Sequence, residues 1–314
     1  MKLGGWPLKF GISINFDDTL NTAVAKSIAA ETSKLDYLWI PDLPNQRYPP
    51  AIAAAAASRT SRIRIGLGLI SPILHRPIQI ASSMRTLIEY YGERFELCIG
   101  PGDRDNLRMV GIDLERISGI PKMILEAKNE ISEHLDRVGL RCRVWLGAQG
   151  PRMLKIASKF DGALLNYSDP EMVAWALNKI GRPYETRKWA AGIFAPAYIY
   201  REFKPEIYRV LRFASATVAL GTSEHVLKRF GLKDIVTSIR GQYGSKPFST
   251  SVLRMVPPTV TERFYILKSQ EELPSYIRTL ESLGIEQVVF AYPQAISLET
   301  IRELGEILEA TSKE

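Results

Sequence analysis

Short apolar runs alternate with longer segments of helical periodicity along almost the whole chain. Eight runs are nearly continuous in hydrophobic residues, which is typical of strands buried on both faces of a parallel sheet. The candidate strands are Lys9 to Ile14, Tyr37 to Ile40, Ile63 to Leu67, Phe95 to Ile99, Val144 to Leu146, Ala163 to Leu165, Ile193 to Ile199 and Gln287 to Ala291.

Helical patterns lie between most of these strands, and several begin with a proline, which suits the first turn of a helix. The predicted helices include Thr19 to Ser33, Pro50 to Ser58, Pro77 to Tyr91, Pro121 to Val138, Pro151 to Lys159 and Pro170 to Lys179. Regular alternation of strand and helix indicates an α/β protein, and eight such units predict closure into a (β/α)8 TIM barrel. A doubly wound open sheet is the main competing fold.

One segment breaks this alternation before the last strand. Between residues 202 and 263, helical stretches and a loop-rich piece follow one another without an intervening strand pattern. We therefore predict a single barrel domain over residues 1–314 with an insertion at about 202–263. Its 46% hydrophobic content is enough for one large core.

Charge and cysteine content narrow the range of partners. The chain has 41 basic and 34 acidic residues, a mild excess spread along its length, and lacks the basic patches typical of nucleic-acid binding. No signal peptide and no membrane-spanning apolar run stands out. Cys98 and Cys142 lie in or beside predicted strands and lack a metal-type spacing, which favours a reducing, cytoplasmic location.

The candidate functional residues lie directly after the strands, because α/β barrels bind ligands at the carboxyl ends of their strands. Gly147 to Gly150 follow the fifth strand and precede a helix that begins at Pro151. Such a turn lets the backbone approach a ligand and favours an anion, although a tight structural corner is equally consistent with it. Asp42 and Asp103 follow the second and fourth strands, where each is either a site carboxylate or a turn cap.

No nucleophile or metal centre is evident from the sequence. His75, His134 and His225 are scattered and none falls at zinc-ligand spacing, so no metal is expected and the histidines are interpreted as structural or surface residues. Neither a Walker motif nor a strand-linked Gly-x-Gly-x-x-Gly is present. Redox chemistry supplied by a bound cofactor is therefore the favoured reaction type.

Several strings in the chain match one known family. They are Gly66 to Pro72, Arg76-Pro77, Gly92 to Phe95, Ile99 to Asp103, Leu146 to Met153, Asp161-Gly162, Ala219 to Gly231 and Leu280 to Val289. In these residues the chain resembles the bacterial luciferase-like superfamily and, within it, the coenzyme F420-dependent methylenetetrahydromethanopterin reductases. The resemblance extends over nearly the full length.

This resemblance implies a luciferase-like barrel that binds coenzyme F420, a deazaflavin, without covalent attachment. It implies that the Gly147 to Gly150 turn holds the phosphate-bearing tail and that a non-proline cis peptide joins Gly68 and Leu69 behind the ring. The expected coenzyme-binding residues are Gly68, Leu69, Gly147, Ala148, Gln149, Gly150 and Asn166.

By the same resemblance, the reduced deazaflavin donates a hydride to a small pterin-like substrate, such as a methylene-tetrahydromethanopterin. Asp103 matches the acidic position of the family's Gly-Pro-Gly-Asp string, and Asp42 matches its acidic residue after the second strand, so both are candidate catalytic residues. A homodimer or higher homo-oligomer is expected, with the second and third helices contributing.

Three positions depart from the family pattern. Ser13 stands where the reductases have a glutamate, Asp42-Leu43 replaces an Asp-His pair, and Leu74 to Pro77 replaces Thr-Arg-His-Pro. Two alternatives therefore remain beside the reductase. One is another F420-dependent dehydrogenase or an FMN-dependent luciferase-like monooxygenase, and the other is a non-catalytic flavin-binding barrel.

Overall fold

A parallel β-sheet forms the centre of the computed structural model, which describes residues 8–44, 46–181, 189–242 and 250–311. All eight predicted strands are present within these ranges, and a ninth was missed. The strands are β1 (Lys9–Ser13), β2 (Tyr37–Ile40), β3 (Arg64–Ile70), β4 (Phe95–Ile99), β5 (Arg143–Ala148), β6 (Gly162–Leu165), β7 (Ala190–Tyr200), β8 (Ile266–Ser269) and β9 (Gln287–Ala291).

The sheet closes into a barrel of eight strands. Strands β1 to β7 pair in chain order, β7 also pairs with β9, and β9 pairs with β1, all in parallel. The predicted (β/α)8 TIM barrel is therefore confirmed, and the open sheet is excluded. Strand β8 lies outside the barrel, because it pairs only with the carboxyl end of β7, at Ala197 to Tyr200.

Helices follow most strands and cover the outside of the barrel. The helices of the described ranges are α1 (Leu20–Thr32), α2 (Pro49–Ala57), α3 (Pro77–Tyr91), α4 (Arg104–Met109), α5 (Ile120–Asp136), α6 (Pro151–Leu154), α7 (Pro170–Ile180), α8 (Pro205–Gly221), α9 (Glu224–Arg229), α10 (Lys233–Gly241), α11 (Thr250–Leu253), α12 (Pro258–Thr261), α13 (Leu273–Ser282) and α14 (Leu298–Thr311). None of them is both long and apolar enough to cross a membrane.

The helix predicted over Pro151 to Lys159 is wrong in length. Helix α6 is a single turn, and a separate 3-10 turn covers Ala157–Lys159. The chain must turn back here because Asp161 is held at the start of β5, where its backbone N–H donates to the carbonyl of Val144 and its carboxylate accepts from the N–H of the same residue.

Between β7 and β8 the chain forms five helices, α8 to α12, with residues 243–249 outside the described ranges. This segment is the predicted insertion, and its status as an insertion within one domain stays a prediction. Helix α8 leads from the end of β7 towards the loop after β5, where the side chain of Gln149 bonds to Thr222, directly after the helix. The segment therefore reaches the same end of the barrel as the predicted site.

The interior of the barrel is filled by side chains. Trp39, Trp145 and Cys98 are buried in one inner cluster, as expected of a packed barrel rather than a pore. Towards the amino ends of the strands, Glu96 is 2% exposed and accepts hydrogen bonds from the indole of Trp145 at 2.7 Å and from Arg64 at 3.1 Å. Glu96 therefore closes part of that end with satisfied hydrogen bonds, and the carboxyl ends of the strands are the expected place for a ligand.

Candidate functional site

Strands β3, β4 and β5 build an apolar platform at the carboxyl end of the barrel. The peptide between Gly68 and Leu69 is cis, so the geometry expected at this position is confirmed. The Leu69 side chain lies where a Cβ on Gly100 or Gly147 would stand, at 2.5 Å from the Gly100 position and closer still to the Gly147 position. The platform thus depends on the absence of a side chain at two positions on neighbouring strands.

Gly68 itself lies against the inner cluster of the barrel. A Cβ at Gly68 would stand 2.5 Å from the Cβ of Cys98 on β4, so no larger residue fits without movement. Burial raises the pKa of the Cys98 thiol far above its ordinary value, so the thiol stays neutral and acts as packing beneath the platform. This agrees with the interpretation of Cys98 as a core residue.

The turn after β5 carries polar groups beside this platform, and we call the space between this turn and the end of α8 the polar pocket. The Gln149 side chain donates to the hydroxyl of Thr222 at 2.9 Å, and the Gln149 carbonyl accepts a hydrogen bond from the buried hydroxyl of Tyr167. Gly150 faces Ser223, since a Cβ at Gly150 would lie 3.6 Å from its hydroxyl oxygen. The turn is therefore held in place by residues from the end of β6 and from the end of α8.

Ser223 supplies the most informative polar atom of this pocket. Its hydroxyl oxygen is buried and has no hydrogen-bond partner within the described ranges. Buried hydroxyls are almost always bonded to protein, water or ligand, so this one is suited to a ligand group that accepts or donates at the turn. Helix α6 is only one turn long, so the pocket relies on side chains and close backbone approach more than on a helix dipole.

Asn166 lies next to this turn. Ala148 pairs with Leu165 across β5 and β6, so Gln149 and Asn166 directly follow paired residues of neighbouring strands. The structure therefore brings Gly147 to Gly150 and Asn166 together, as expected of residues that share one ligand. Their role in coenzyme binding stays a prediction.

Asp103 caps a helix at the same end of the barrel. Its Oδ1 accepts from the backbone N–H groups of Asp105 at 3.1 Å and Asn106 at 2.9 Å, which fixes the start of α4. Its Oδ2 points towards the end of α8, since a Cβ at Gly221 would lie 3.5 Å from it. The cap interpretation is confirmed, and the second oxygen leaves the catalytic hypothesis open.

Arg240 fixes the end of α8 against this region. Its guanidinium donates to the carbonyls of Leu220 and Thr222, which are among the last acceptors of that helix. Burial lowers the pKa of Arg240, and burial together with Asp103 raises the pKa of Asp105. Sequence reasoning missed Arg240, Thr222 and Ser223, although the last two lie inside the Ala219 to Gly231 string that matched the family.

Asp42 bonds to a histidine, a contact that could not be predicted from the sequence. Its Oδ2 lies 2.8 Å from Nε2 of His75, which comes from the loop between β3 and α3. The Asp42 side chain is 6% exposed, and the hydrogen bond to it raises the pKa of His75. His75 is therefore a structural histidine with a defined partner, and it ties together the loops that follow β2 and β3.

Ser13 lies at the end of β1 and carries no carboxylate. It is buried, and its hydroxyl donates to the neighbouring carbonyl of Ile14 at 3.1 Å. The end of β1 therefore presents no acidic group at residue 13.

The fold is a (β/α)8 barrel, and part of its sequence is similar to the luciferase-like family. A family model described as luciferase-like monooxygenase matches residues 8–119. The 5,10-methylenetetrahydromethanopterin reductase of Archaeoglobus fulgidus is 26% identical, covering 91% of this chain and 94% of the relative. The resemblance to the luciferase-like superfamily and to these reductases is therefore confirmed.

Solved structures agree on the fold. The coenzyme F420-dependent tetrahydromethanopterin reductase of Methanopyrus kandleri superimposes with a TM-score of 0.83 at 23% identity, covering 96% of this chain and 98% of that one. An F420-dependent secondary alcohol dehydrogenase in complex with an F420-acetone adduct gives a TM-score of 0.74 at 15% identity, covering 97% and 99%.

The Asp42–His75 pair predicts a pH-dependent contribution to stability. Because its folded-state pKa is raised, protonated His75 stabilises the fold below the unfolded-state pKa of about 6.5, and this contribution is lost as the pH rises through the folded-state pKa. We expect His75→Gln to lower the free energy of unfolding by about 1 kcal/mol at acidic pH and by less at alkaline pH.

Urea unfolding at about pH 5.5 and at about pH 8.5 measures this difference, with His134→Gln on α5 as the matched control. A loss of stability that is the same at both pH values would show that the pair contributes no charge interaction.

Proposed function

We propose that this protein is an oxidoreductase that transfers a hydride between reduced coenzyme F420 and a methylene-tetrahydromethanopterin-type substrate. The observation that carries the proposal is the Leu69 platform, which lies between Gly100 and Gly147 and adjoins the polar pocket of the following turn. An apolar surface beside a polar pocket suits a ring system that bears a phosphate tail. The similarity to two 5,10-methylenetetrahydromethanopterin reductases over 91% of this chain supports the same substrate class. The coenzyme F420-dependent reductase of Methanopyrus kandleri, which shares the fold, supports the same coenzyme.

The residues present fit the coenzyme. Leu69 would hold one face of the ring, while Gly147, Gln149, Gly150 and Ser223 would hold the tail. The Gln149 side chain and the Tyr167 hydroxyl keep the turn in a fixed shape, so little ordering remains to be done when a ligand binds. When bound, the reduced deazaflavin supplies the hydride for an electrophilic carbon of the substrate.

The protein's contribution to the reaction is mainly positional. Holding two reactants in one geometry removes much of the entropic cost of a two-molecule reaction. Asp103 is assigned to a polar contact with the substrate, because its Oδ2 takes no part in capping α4. Asp42, the second candidate catalytic residue, follows β2 at the same end of the barrel. Its bond to His75 keeps the carboxylate in place.

Two alternatives differ from this proposal in the cofactor that is bound or in whether a reaction is catalysed. The family model is described as a monooxygenase, which supports an FMN-dependent enzyme on the same barrel as the second candidate. Ser13, which carries no carboxylate, is the reason that an enzyme with a different substrate and a non-catalytic flavin-binding barrel remain as alternatives. The predicted homodimer, with α2 and α3 at its interface, and the cytoplasmic location stay predictions.

An anaerobic titration with F420 and with FMN tests the proposal. We expect F420 to bind more tightly than FMN by at least about tenfold, and reduced F420 to be oxidised when methylene-tetrahydromethanopterin is added. Deazaflavin absorbance follows both steps. Tight binding of FMN alone would favour the monooxygenase, and binding of neither cofactor would reject both enzyme hypotheses.

Asp103→Asn separates the charge of Asp103 from its capping role, because asparagine caps helices about as well as aspartate. We expect kcat to fall by about tenfold, equivalent to about 1.4 kcal/mol, with little change in F420 affinity. Steady-state kinetics and a coenzyme titration measure the two effects. Asp113→Asn, which caps the 3-10 turn at Leu114–Arg116, is the matched control. An unaltered kcat would remove Asp103 from the reaction.

A further inference from the structure

Asn15 lies at the mouth of the barrel, two residues beyond the end of β1, and is 8% exposed. Ile14 belongs to the core between the strands and the helices. A Cβ at Gly11 would stand 2.6 Å from the Cβ of Tyr37, which belongs to the inner cluster of the barrel. Because side chains alternate along an extended chain, Asn15 faces the interior together with Gly11 and Ser13.

The side-chain amide of Asn15 lacks a partner. Its Oδ1 is buried and has no hydrogen-bond partner among the described residues. Ser13, one layer deeper, is already used, because its hydroxyl donates to the carbonyl of Ile14. A buried amide without a partner costs free energy in the protein alone, and a ligand that bonds to it removes this cost. Asn15 is therefore suited to contact a ligand rather than to stabilise the fold.

A buried ion pair holds the segment that carries Asn15. Lys26 of α1 donates to both carboxylate oxygens of Asp18, at 2.7 and 2.8 Å, and the two side chains are 3% and 8% exposed. Asp18 in turn accepts from the backbone N–H of Asn15 at 3.0 Å, and its own N–H donates to the Asn15 carbonyl at 3.2 Å. The backbone of Asn15 is thus fixed before a ligand binds, which reduces the ordering cost of binding.

This part of the mouth lies across the barrel from the Leu69 platform. In the closed ring of eight strands, three strands separate β1 from β5 in either direction, and three separate β9 from β4. Asn15 follows β1, and Tyr292 follows β9. Both therefore lie opposite Gly100 and Gly147, the glycines that leave room for Leu69. A ligand ring that lies on the platform has the wall formed by Asn15 and Tyr292 on its other side.

The charge of this wall favours a neutral or cationic group over an anion. Burial raises the pKa of Tyr292, and the nearby carboxylates of Asp17 and Asp18 raise it further, so the phenol stays neutral. Of the two carboxylates, only Asp18 forms an ion pair within the described ranges, with Lys26, so the wall carries a net negative charge. Such a wall repels phosphate and attracts N–H donors. It is therefore suited to the substrate rather than to the anionic part of the coenzyme.

We propose that Asn15 is a specificity-determining residue that binds the ring of the substrate through its side-chain amide. The inference rests on the proposed function, because it takes the coenzyme ring to lie on the Leu69 platform. An amide presents a C=O acceptor and an N–H donor side by side, which is complementary to an N–H and a C=O on adjacent ring atoms. The pyrimidine ring of a pterin has such an edge. A substrate without this edge would leave the amide unpaired and bind more weakly.

Inhibition by two small bicyclic compounds tests this inference. Tetrahydropterin has the N–H and C=O edge, and tetrahydroquinoxaline has a benzene ring in its place. Under anaerobic conditions, we expect tetrahydropterin to inhibit the wild-type oxidation of reduced F420 by methylene-tetrahydromethanopterin about tenfold more strongly than tetrahydroquinoxaline does. In Asn15→Ala this preference should disappear and the KM of the pterin substrate should rise by about tenfold, while F420 affinity stays at the wild-type value. Equal inhibition of the wild-type protein by the two compounds would overturn the inference.

Urea unfolding separates substrate recognition from a structural role. Because the Asn15 amide lacks a partner in the protein alone, Asn15→Ala should unfold at nearly the wild-type urea concentration. Asn178→Ala, at an exposed position of α7, is the matched control and should keep both the preference and the KM. A preference that survives in Asn15→Ala would overturn the inference and leave the proposed function intact. Failure of the wild-type protein to oxidise reduced F420 with the pterin substrate would reject the proposed function together with the inference.

Discussion

Gly100 and Gly147 leave the space that the Leu69 side chain occupies at the carboxyl end of the barrel. These two glycines lie at or just beyond the ends of β4 and β5, and Leu69 approaches from β3, so three consecutive strands meet at one apolar surface. A methyl group at either glycine would collide with Leu69. The shape of the platform therefore depends on the absence of a side chain at both glycines.

Neighbouring side chains hold the platform and the turn after β5 in place. Beneath it, Cys98 fills the barrel and leaves no room for a side chain at Gly68. Beside it, Thr222 and Tyr167 hold Gln149 from two directions, and Arg240 binds the carbonyls at the end of α8. Elements far apart in sequence thus converge on the turn after β5, which explains how the segment between β7 and β8 contributes to a pocket built on β5.

The bounds of strands and helices could be predicted from the sequence, whereas contacts between residues far apart in the chain could not. The strands Tyr37–Ile40 and Phe95–Ile99 and the helix Pro77–Tyr91 have the predicted bounds, because their apolar periodicity is set by burial on known faces. Strand β8 was missed because three of its four residues are only partly buried and it pairs with one end of a single strand. The Asp42–His75 pair joins residues 33 positions apart, and the unpartnered Ser223 hydroxyl is visible only in three dimensions.

Coenzyme affinity of Gly147→Ala tests most directly whether the glycine-backed platform is the coenzyme site. The added methyl group must displace Leu69, so we predict that F420 binds at least about tenfold more weakly while circular dichroism shows an intact barrel. Gly241→Ala is the control, because a Cβ there meets no atom within 4 Å. A folded Gly147→Ala protein that binds F420 with wild-type affinity would show that the platform does not hold the coenzyme.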